Sequence, residues 1–389
     1  MNVEATPPVL GRAIRHEWGL DWEYNTVNHG SFGATPRVVL AAQDDWRRRM
    51  EAQPSRFMRM VLPDALREAA GRLAGFVGGA AANMAFVENA TVGCNAVLRS
   101  LELRPGDEVL VLSDVYGAVR NTVRYVTQRA GGRLVEAKVP FPRPEAGAVV
   151  AAVAGAITPR TRIAVLDHIT SKSALVLPIE RMVAACHNAG VPVLVDGAHA
   201  PGQVALGLDA LGADWYAGNC HKWLMAPKGC GFLYARADRQ DIHPVTISHG
   251  YQHGFLEEFD WTGTRDASAC LAVTAAIDFH QRLGGAAMRA RNVALAAEAA
   301  ALVAGRLGTE TAGGNMLGGS MSLVRVPVAG VSDEARALAL RVRMLEAGTD
   351  VPLHARDGQV WMRLSAAAYN ELDDYEALVG VVQKVVAAG

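Results

Sequence analysis

VPVLVDGAHAPG (191–202) decides the fold, and AGNCHKW (217–223) shares in deciding what the fold holds. In the first stretch an apolar run stops at Asp196 and a glycine follows it. A run this short, bounded by proline and glycine, reads as a buried strand. The same pattern recurs at EVLVLSD (108–114), RLVEAKV (133–139), RIAVLDH (162–168), ADWYAG (213–218) and GCGFLYAR (229–236). IERMVAACHNAG (179–190) reads as a helix that ends with Gly190 at its C′ position. Short buried strands separated by helices predict an α/β domain with a doubly wound, mostly parallel sheet. Ligands of such sheets sit beyond the carboxyl ends of the strands, where Asp196, His168 and the 217–222 turn all fall.

Outward from this centre, Thr35-Pro36 before RVVLAAQDDWRRRM reads as an N-cap with proline at the first helical position. The texture changes after about 270. CLAVTAAIDFHQRL and the Ala-rich 286–306 read as long helices, followed by a strand at MSLVRVPV (321–328), a helix over 333–347 and a strand at VWMRLSAAAYN (360–370). The expected organisation is an N-terminal arm over 1–18, a large domain over 19–268 and a smaller α+β domain over 269–389.

The bulk numbers exclude several classes. Half of the 389 residues are hydrophobic, a fifth are charged and the formal net charge is −1, an ordinary globular composition. Near-neutral charge argues against a nucleic-acid or anionic-membrane surface as main partner. No basic segment with an apolar core opens the chain, and AVVAAVAGAI (148–157) is too short to span a bilayer. Cysteines 94, 186, 220, 230 and 270 form no C-x-x-C pair and are expected to be reduced, in a cytoplasmic protein. His249 and His253 have helical spacing, but their segment does not read as a helix and no metal site is expected.

Lys222 carries the chemistry. A lysine after a histidine is ordinarily a solvated side chain. This one stands between an apolar strand and the Gly-rich APKGCGF (226–232), 26 positions after Asp196. Burial there would require the amine to lose its charge, and imine formation removes it. A lysine so placed after a strand-end aspartate is the arrangement that holds pyridoxal 5′-phosphate (PLP). The amine binds the aldehyde, and the carboxylate keeps the pyridine nitrogen protonated. Asp196 by itself could equally cap a turn. Thr91, in ENATVGCNAVL (88–98), opens a helix, where a cap and a phosphate seat use the same free amides. His199 and His221 lie close to Asp196 and Lys222 in sequence, and either could be structural. Arg363, in WMRLS, sits between apolar neighbours on a strand and needs an anionic partner, either a structural carboxylate or that of a bound amino acid.

Taken together, VNHGSFGATPR (27–37), ENATVGCNAVL (88–98), DHITSKSALVLPIE (167–180), VDGAHAPGQ (195–203), YAGNCHKWLMAPKGCGFL (216–233), WTGTRDASA (261–269) and RLSAAAYN (363–370) resemble, in order, the class V aminotransferase family of fold-type I PLP enzymes. The likeness is to its isopenicillin N epimerase-like branch. It implies a homodimer with shared active sites. Lys222 would be the Schiff-base lysine, Asp196 the partner of the pyridine nitrogen, and His199 a neighbour of the cofactor's phenolic oxygen. Tyr116 would stack on the ring, where many relatives carry histidine. Thr91, Asn219 and His221 would contact the phosphate, with Ala90, Val92 and Ser171 also binding the cofactor. Thr264 would reach the phosphate in the neighbouring subunit. Arg363 would hold the substrate carboxylate, with Asn28 and His29 in the pocket.

Two departures narrow the reading. Cysteine desulfurases carry a nucleophilic cysteine shortly before the carboxylate-binding arginine, and AGTDVPLHARDGQVWMR (347–363) contains none. Ser171 also stands where many class members have asparagine. The expected chemistry is bond-breaking at Cα of a non-standard L-amino acid, by epimerisation or C–S β-elimination. Transamination and decarboxylation are the alternatives within the family. A PLP-fold protein that has lost catalysis and serves as a scaffold is the alternative outside enzymology.

Overall fold

In the computed structural model, which describes residues 8–388, the chain builds a seven-stranded and a four-stranded sheet with separate cores, and a two-stranded pairing besides. The first strand, β1 (Asn25–Thr26), pairs in parallel with Thr349–Asp350 near the other end of the chain. The large sheet is made of β2 (Met84–Val87), β3 (Glu108–Leu112), β4 (Arg133–Ala137), β5 (Thr161–Asp167), β6 (Val193–Gly197), β7 (Trp215–Asn219) and β8 (Gly231–Ala235). Their spatial order is β2-β8-β7-β6-β5-β3-β4, parallel from β4 through β7. Strand β8 runs antiparallel to both β7 and β2. The sheet is therefore mixed at one edge and parallel elsewhere, and β2 is a strand the sequence patterns above do not single out.

Strand alternation explains why these runs are apolar throughout. Leu110, Leu112, Ala164, Leu166, Val193 and Val195 pack on one face, with helices Leu62–Val77 and Ile179–Asn188. Their neighbours Val109, Val111, Ile163, Val165 and Leu194 pack on the other, under helices Ala90–Ser100 and Gly117–Ala130. With period-two side chains and helices on both faces, neither face can be polar. Helix Ile179–Asn188 ends as expected, with Gly190 left-handed at φ +72° and its N–H bonded to the His187 carbonyl.

The second sheet comprises β9 (Thr311–Ala312), β10 (Met321–Arg325), β12 (Leu353–Arg356) and β13 (Gln359–Ser365), with β11 (Thr349–Asp350) the partner of β1. Its order is β12-β13-β10-β9, all antiparallel. Val360, Met362 and Leu364 face a core shared with helices Ala286–Leu307, Glu334–Glu346 and Leu372–Ala387. Trp361 and Arg363 alternate with them and so face the opposite way, toward loops of the large sheet. Cys270, Ile277, Phe279 and Leu283, beyond residue 269, pack in the large-sheet core, while Val27 joins the small-sheet core. Division by cores would thus assign the 270–283 segment to the large unit. Residues 1–7 of the expected arm lie outside the described residues.

The Thr35-Pro36 expectation is corrected by one position. Helix Arg37–Ala52 has Pro36 at its N-cap, and Thr35 Oγ1 instead donates to the Ala226 carbonyl, 3.1 Å away. This bond ties the segment before the helix to the turn that carries Lys222. Among the described residues, no helix is long and apolar enough to cross a membrane, and no metal-binding cluster of His, Cys, Asp and Glu is found.

Candidate active site

A cavity of about 480 Å³ opens at the carboxyl ends of β5, β6 and β7. It gathers Lys222, Asp196, His199, Tyr116, Ser171, Asn219, His221 and the Ala90-Thr91-Val92 helix start from distant parts of the chain. Phe32 also lines it and is largely exposed, which puts it at the mouth.

The lysine is positioned by a turn fixed on several sides. Past the end of β7, Cys220 and His221 both donate their N–H to the Cys230 carbonyl, and Ala226 N–H returns to the Cys220 carbonyl. Met225, left-handed at φ +63°, donates its N–H to the Lys222 carbonyl at 3.1 Å. Gly33 passes so close that a Cβ there would lie 1.9 Å from the His221 carbonyl oxygen, and its φ of +68° also favours glycine. His29 completes the clamp. Burial holds its pKa down to about 4, so the neutral ring donates from Nε2 to the Lys222 carbonyl and accepts the Tyr369 hydroxyl at Nδ1. His29 thus supports the lysine's backbone with both ring nitrogens engaged, and it does not line the cavity. This differs from the substrate contact expected of it.

At the amine, Lys222 Nζ lies 3.1 Å from His199 Nε2. Burial pushes the lysine pKa down to about 7, the Arg363 charge adds to the effect and Asp196 opposes it. His199 is held far below its ordinary range, chiefly by burial and then by the charges of Lys222, Arg363 and His221. The imidazole is neutral, and its Nδ1 is buried with no hydrogen-bond partner. His221 is also pushed down, to about 4, by burial and by Lys222.

Asp196 is buried, with Oδ1 accepting the Ala198 N–H at 3.0 Å. Asp167 lies beside it on β5, in register and also buried, with Oδ2 unpartnered. Burial raises both carboxyl pKa values, and for Asp167 the charge of Asp196 raises it further. Asp167 was not among the residues expected to form the site. DHITSKS carries an aspartate at a strand end as VDGAHA does, and that parallel was the available signal.

The helix start differs in detail from expectation. Asn89, not Thr91, is the N-cap of helix Ala90–Ser100, its side chain accepting the Val92 N–H at 3.0 Å. Asn219 Oδ1 accepts the Ala90 N–H at 2.8 Å. Thr91 lies between these two engaged amides, in a first turn whose dipole still favours an anion. Gly231 lets this turn approach, since a Cβ there would meet Asn89 Cα at 2.7 Å.

Arg363 projects from β13 and is 2 % exposed, yet it has no carboxylate partner among the described residues. Its Nη1 donates to the Ser171 carbonyl at 2.5 Å, and its Nη2 to Ser31 Oγ and Asn28 Oδ1 at 2.9 and 3.2 Å. Ser31 and Ser171 both line the cavity, so the guanidinium stands at its wall. Asn28 also donates to Asp350 at 3.0 Å. Burial lowers the Arg363 pKa to about 10, which leaves it charged at neutral pH. The structural ion pair that could have explained this arginine is not formed. Thr264 does not line the cavity and is exposed on the loop after helix Phe255–Asp260.

The residue types fit PLP. A buried lysine of lowered pKa, a buried carboxylate, an unpartnered imidazole nitrogen and a helix N-terminus together face one cavity. Comparison with known proteins agrees. The model of the family described as Aminotransferase class-V matches residues 33–378. A putative L-cysteine desulfhydrase of Oryza sativa subsp. japonica is 35% identical, over 93% of this chain and 83% of its own. An isopenicillin N epimerase of Amycolatopsis lactamdurans is 34% identical, over 95% of this chain and 97% of its own. Among solved structures, that of a cystine C–S lyase with its product cysteine persulfide superposes with a TM-score of 0.78 at 22% identity, covering 92% and 97% of the two chains. The chain belongs to the class V aminotransferase family, and its cofactor is pyridoxal 5′-phosphate.

Proposed function

We propose that the protein breaks the Cα–H bond of an L-amino acid carrying a free α-carboxylate, and that C–S β-elimination of a cysteine-type substrate is the outcome. The observation that carries this reading is the pairing, across one cavity, of a near-neutral lysine amine with a buried arginine that lacks an anionic partner. PLP, when bound, supplies the electron sink that stabilises negative charge at Cα.

The remaining work falls to side chains. Arg363 binds the α-carboxylate through its planar fork and fixes which way the amino acid lies. Lys222, its pKa pushed down to about 7 by burial, is the base that takes the Cα proton. His199, neutral and 3.1 Å away, accepts a hydrogen bond from the amine and keeps it aimed. Asp196 holds a proton at the ring nitrogen by charge pairing. In elimination the sulfur leaves Cβ with the C–S electron pair, and hydrolysis of the remaining enamine gives ammonia and a 2-oxo acid.

Elimination and epimerisation share the first step, and relatives named for each are about equally similar. Transfer of sulfur to a cysteine of the enzyme is disfavoured, because all five cysteines are buried and none lines the cavity. Thr264, exposed outside the cavity, fits the role of contacting the phosphate seat of a second copy, and on this reading the enzyme is a homodimer. Incubation of the holoprotein with L-cysteine, S-substituted cysteines and L-alanine in deuterated water tests the proposal. Cα deuteration, with sulfide or thiol released from the cysteines, is expected. Carbon dioxide release without Cα exchange would replace it with decarboxylation.

A further inference from the structure

A second cavity, of about 580 Å³, lies beside the one that holds Lys222. It lies against the ends of β3 and β4 on one side and β12 and β13 on the other. Two loops form the wall between the cavities. Tyr116 lines the first while Val115 and Gly117 line the second, and Ser171 lines the first while Lys172 and Ser173 line the second. Arg363, bonded to the Ser171 carbonyl, stands at the junction. Trp361 is two residues earlier on the same face of β13 and lines the second cavity. Same-face neighbours on a strand are roughly 7 Å apart, the reach of a few methylene groups.

The chemistry of this second space is not that of a solvent-filled gap between domains. Phe141 meets Trp361 edge to face, with ring centroids 5.0 Å apart, and the Arg356 guanidinium lies 4.0 Å over the Phe141 ring. Among its cations, Arg120 is paired with Glu136 and Lys172 with Glu334. Lys138 has no ion pair among the described residues, and His354, opposite Trp361 across the β12–β13 ladder, has no hydrogen-bonded side-chain partner there. Arg356 Nη1 is 3.3 Å from Asp114 but makes no hydrogen bond. The aromatic wall, the unpaired Lys138 and the free N–H groups of neutral His354 and of Arg356 Nη1 suit an anion on an apolar stem, beside lining carboxylates of which Asp114 is paired with Arg356 and Glu136 with Arg120.

We propose that this cavity is the subsite for the remote end of an elongated amino acid, and that it takes a carboxylate on an apolar stem, held by Lys138, His354 and Arg356 against Phe141 and Trp361. The proposal rests on the reading that Arg363 holds the α-carboxylate, and it extends that reading from the reacting end of the substrate to its far end. It names the substrate class as cysteines whose sulfur carries a carboxylated substituent.

Equilibrium binding to the holoprotein, measured by calorimetry, tests the subsite independently of turnover. The probes are an S-(carboxyalkyl)-L-cysteine and the S-alkyl-L-cysteine of equal length. The carboxylated ligand is expected to bind tighter by about tenfold or more, the contribution of a charge-assisted hydrogen bond. Lys138→Ala, at an exposed position, and Arg356→Gln should each remove most of that preference and leave S-alkyl-L-cysteine binding unchanged. Equal affinity for the two ligands, or variants that weaken both alike, would overturn the subsite. If the preference is present but no ligand exchanges its Cα proton, the proposed reaction fails and the subsite stands.

Discussion

Asp167 and Asp196 lie opposite one another on adjacent parallel strands, both buried beside the same cavity, with Asp167 Oδ2 unpartnered. Two carboxylates so placed cannot both ionise cheaply. Their pKa values are raised, so in the cofactor-free protein both bind protons more tightly folded than unfolded, and stability falls as pH rises above the ordinary carboxylate range. Asp167→Asn should therefore stabilise the cofactor-free protein at neutral pH, by about 1–2 kcal/mol. Urea denaturation checks this. The advantage should shrink near pH 4, where the unfolded carboxyl also protonates, and an advantage that does not depend on pH would contradict the like-charge account.

The lysine's depressed pKa predicts how the cofactor is taken up. Only the unprotonated amine attacks an aldehyde, and here that form is well populated near pH 7. The rate of PLP incorporation into the cofactor-free protein, followed by absorbance, should rise between about pH 6 and 8 and then level off. A rate that goes on climbing toward pH 10 would show an amine with an ordinary lysine pKa.

Arg363 carries a buried charge with no carboxylate bonded to it among the described residues. Arg363→Gln should raise the KM or Kd for an α-carboxylate substrate by about 10- to 1,000-fold, in the range for lost charged contacts. The cofactor spectrum should be retained, and thermal stability should hold or rise, because a desolvated cation is removed. A large loss of stability would mean that the Ser171, Ser31 and Asn28 contacts hold the fold rather than the ligand.

Gly33 lies far from Lys222 in sequence but against its backbone. Gly33→Ala combines a left-handed φ with a Cβ at 1.9 Å from the His221 carbonyl, and should cost roughly 2–4 kcal/mol. The turn should shift before the fold is lost, so denaturation experiments and the visible spectrum should both respond. Wild-type stability and spectrum in the variant would contradict the close approach.

Much of this arrangement is legible in the sequence, for a physical reason. Buried parallel strands need apolar residues on both faces, so the strand ending at Asp196 and the turn holding Lys222 stand out as interruptions of apolar runs. The position of Arg363 on a strand is legible for the same reason. What escapes is set by contacts between segments distant in the chain. Neither VNHGSFGATPR nor AGNCHKW shows that His29 clamps the Lys222 carbonyl, since that depends on the 193-residue separation closing in space. Strand β2 is four residues long and has no alternation to announce it. Asn89 and Thr91 are both acceptable caps, and only the backbone conformation chooses Asn89.

Reduction of the holoprotein with borohydride, followed by peptide mapping, tests the central claim most directly, because it fixes the imine where it stands. The account predicts a single pyridoxyl-modified residue, Lys222, and no modification in Lys222→Ala. Modification of another lysine in the wild-type protein, such as the nearby Lys228, or of none, would contradict it.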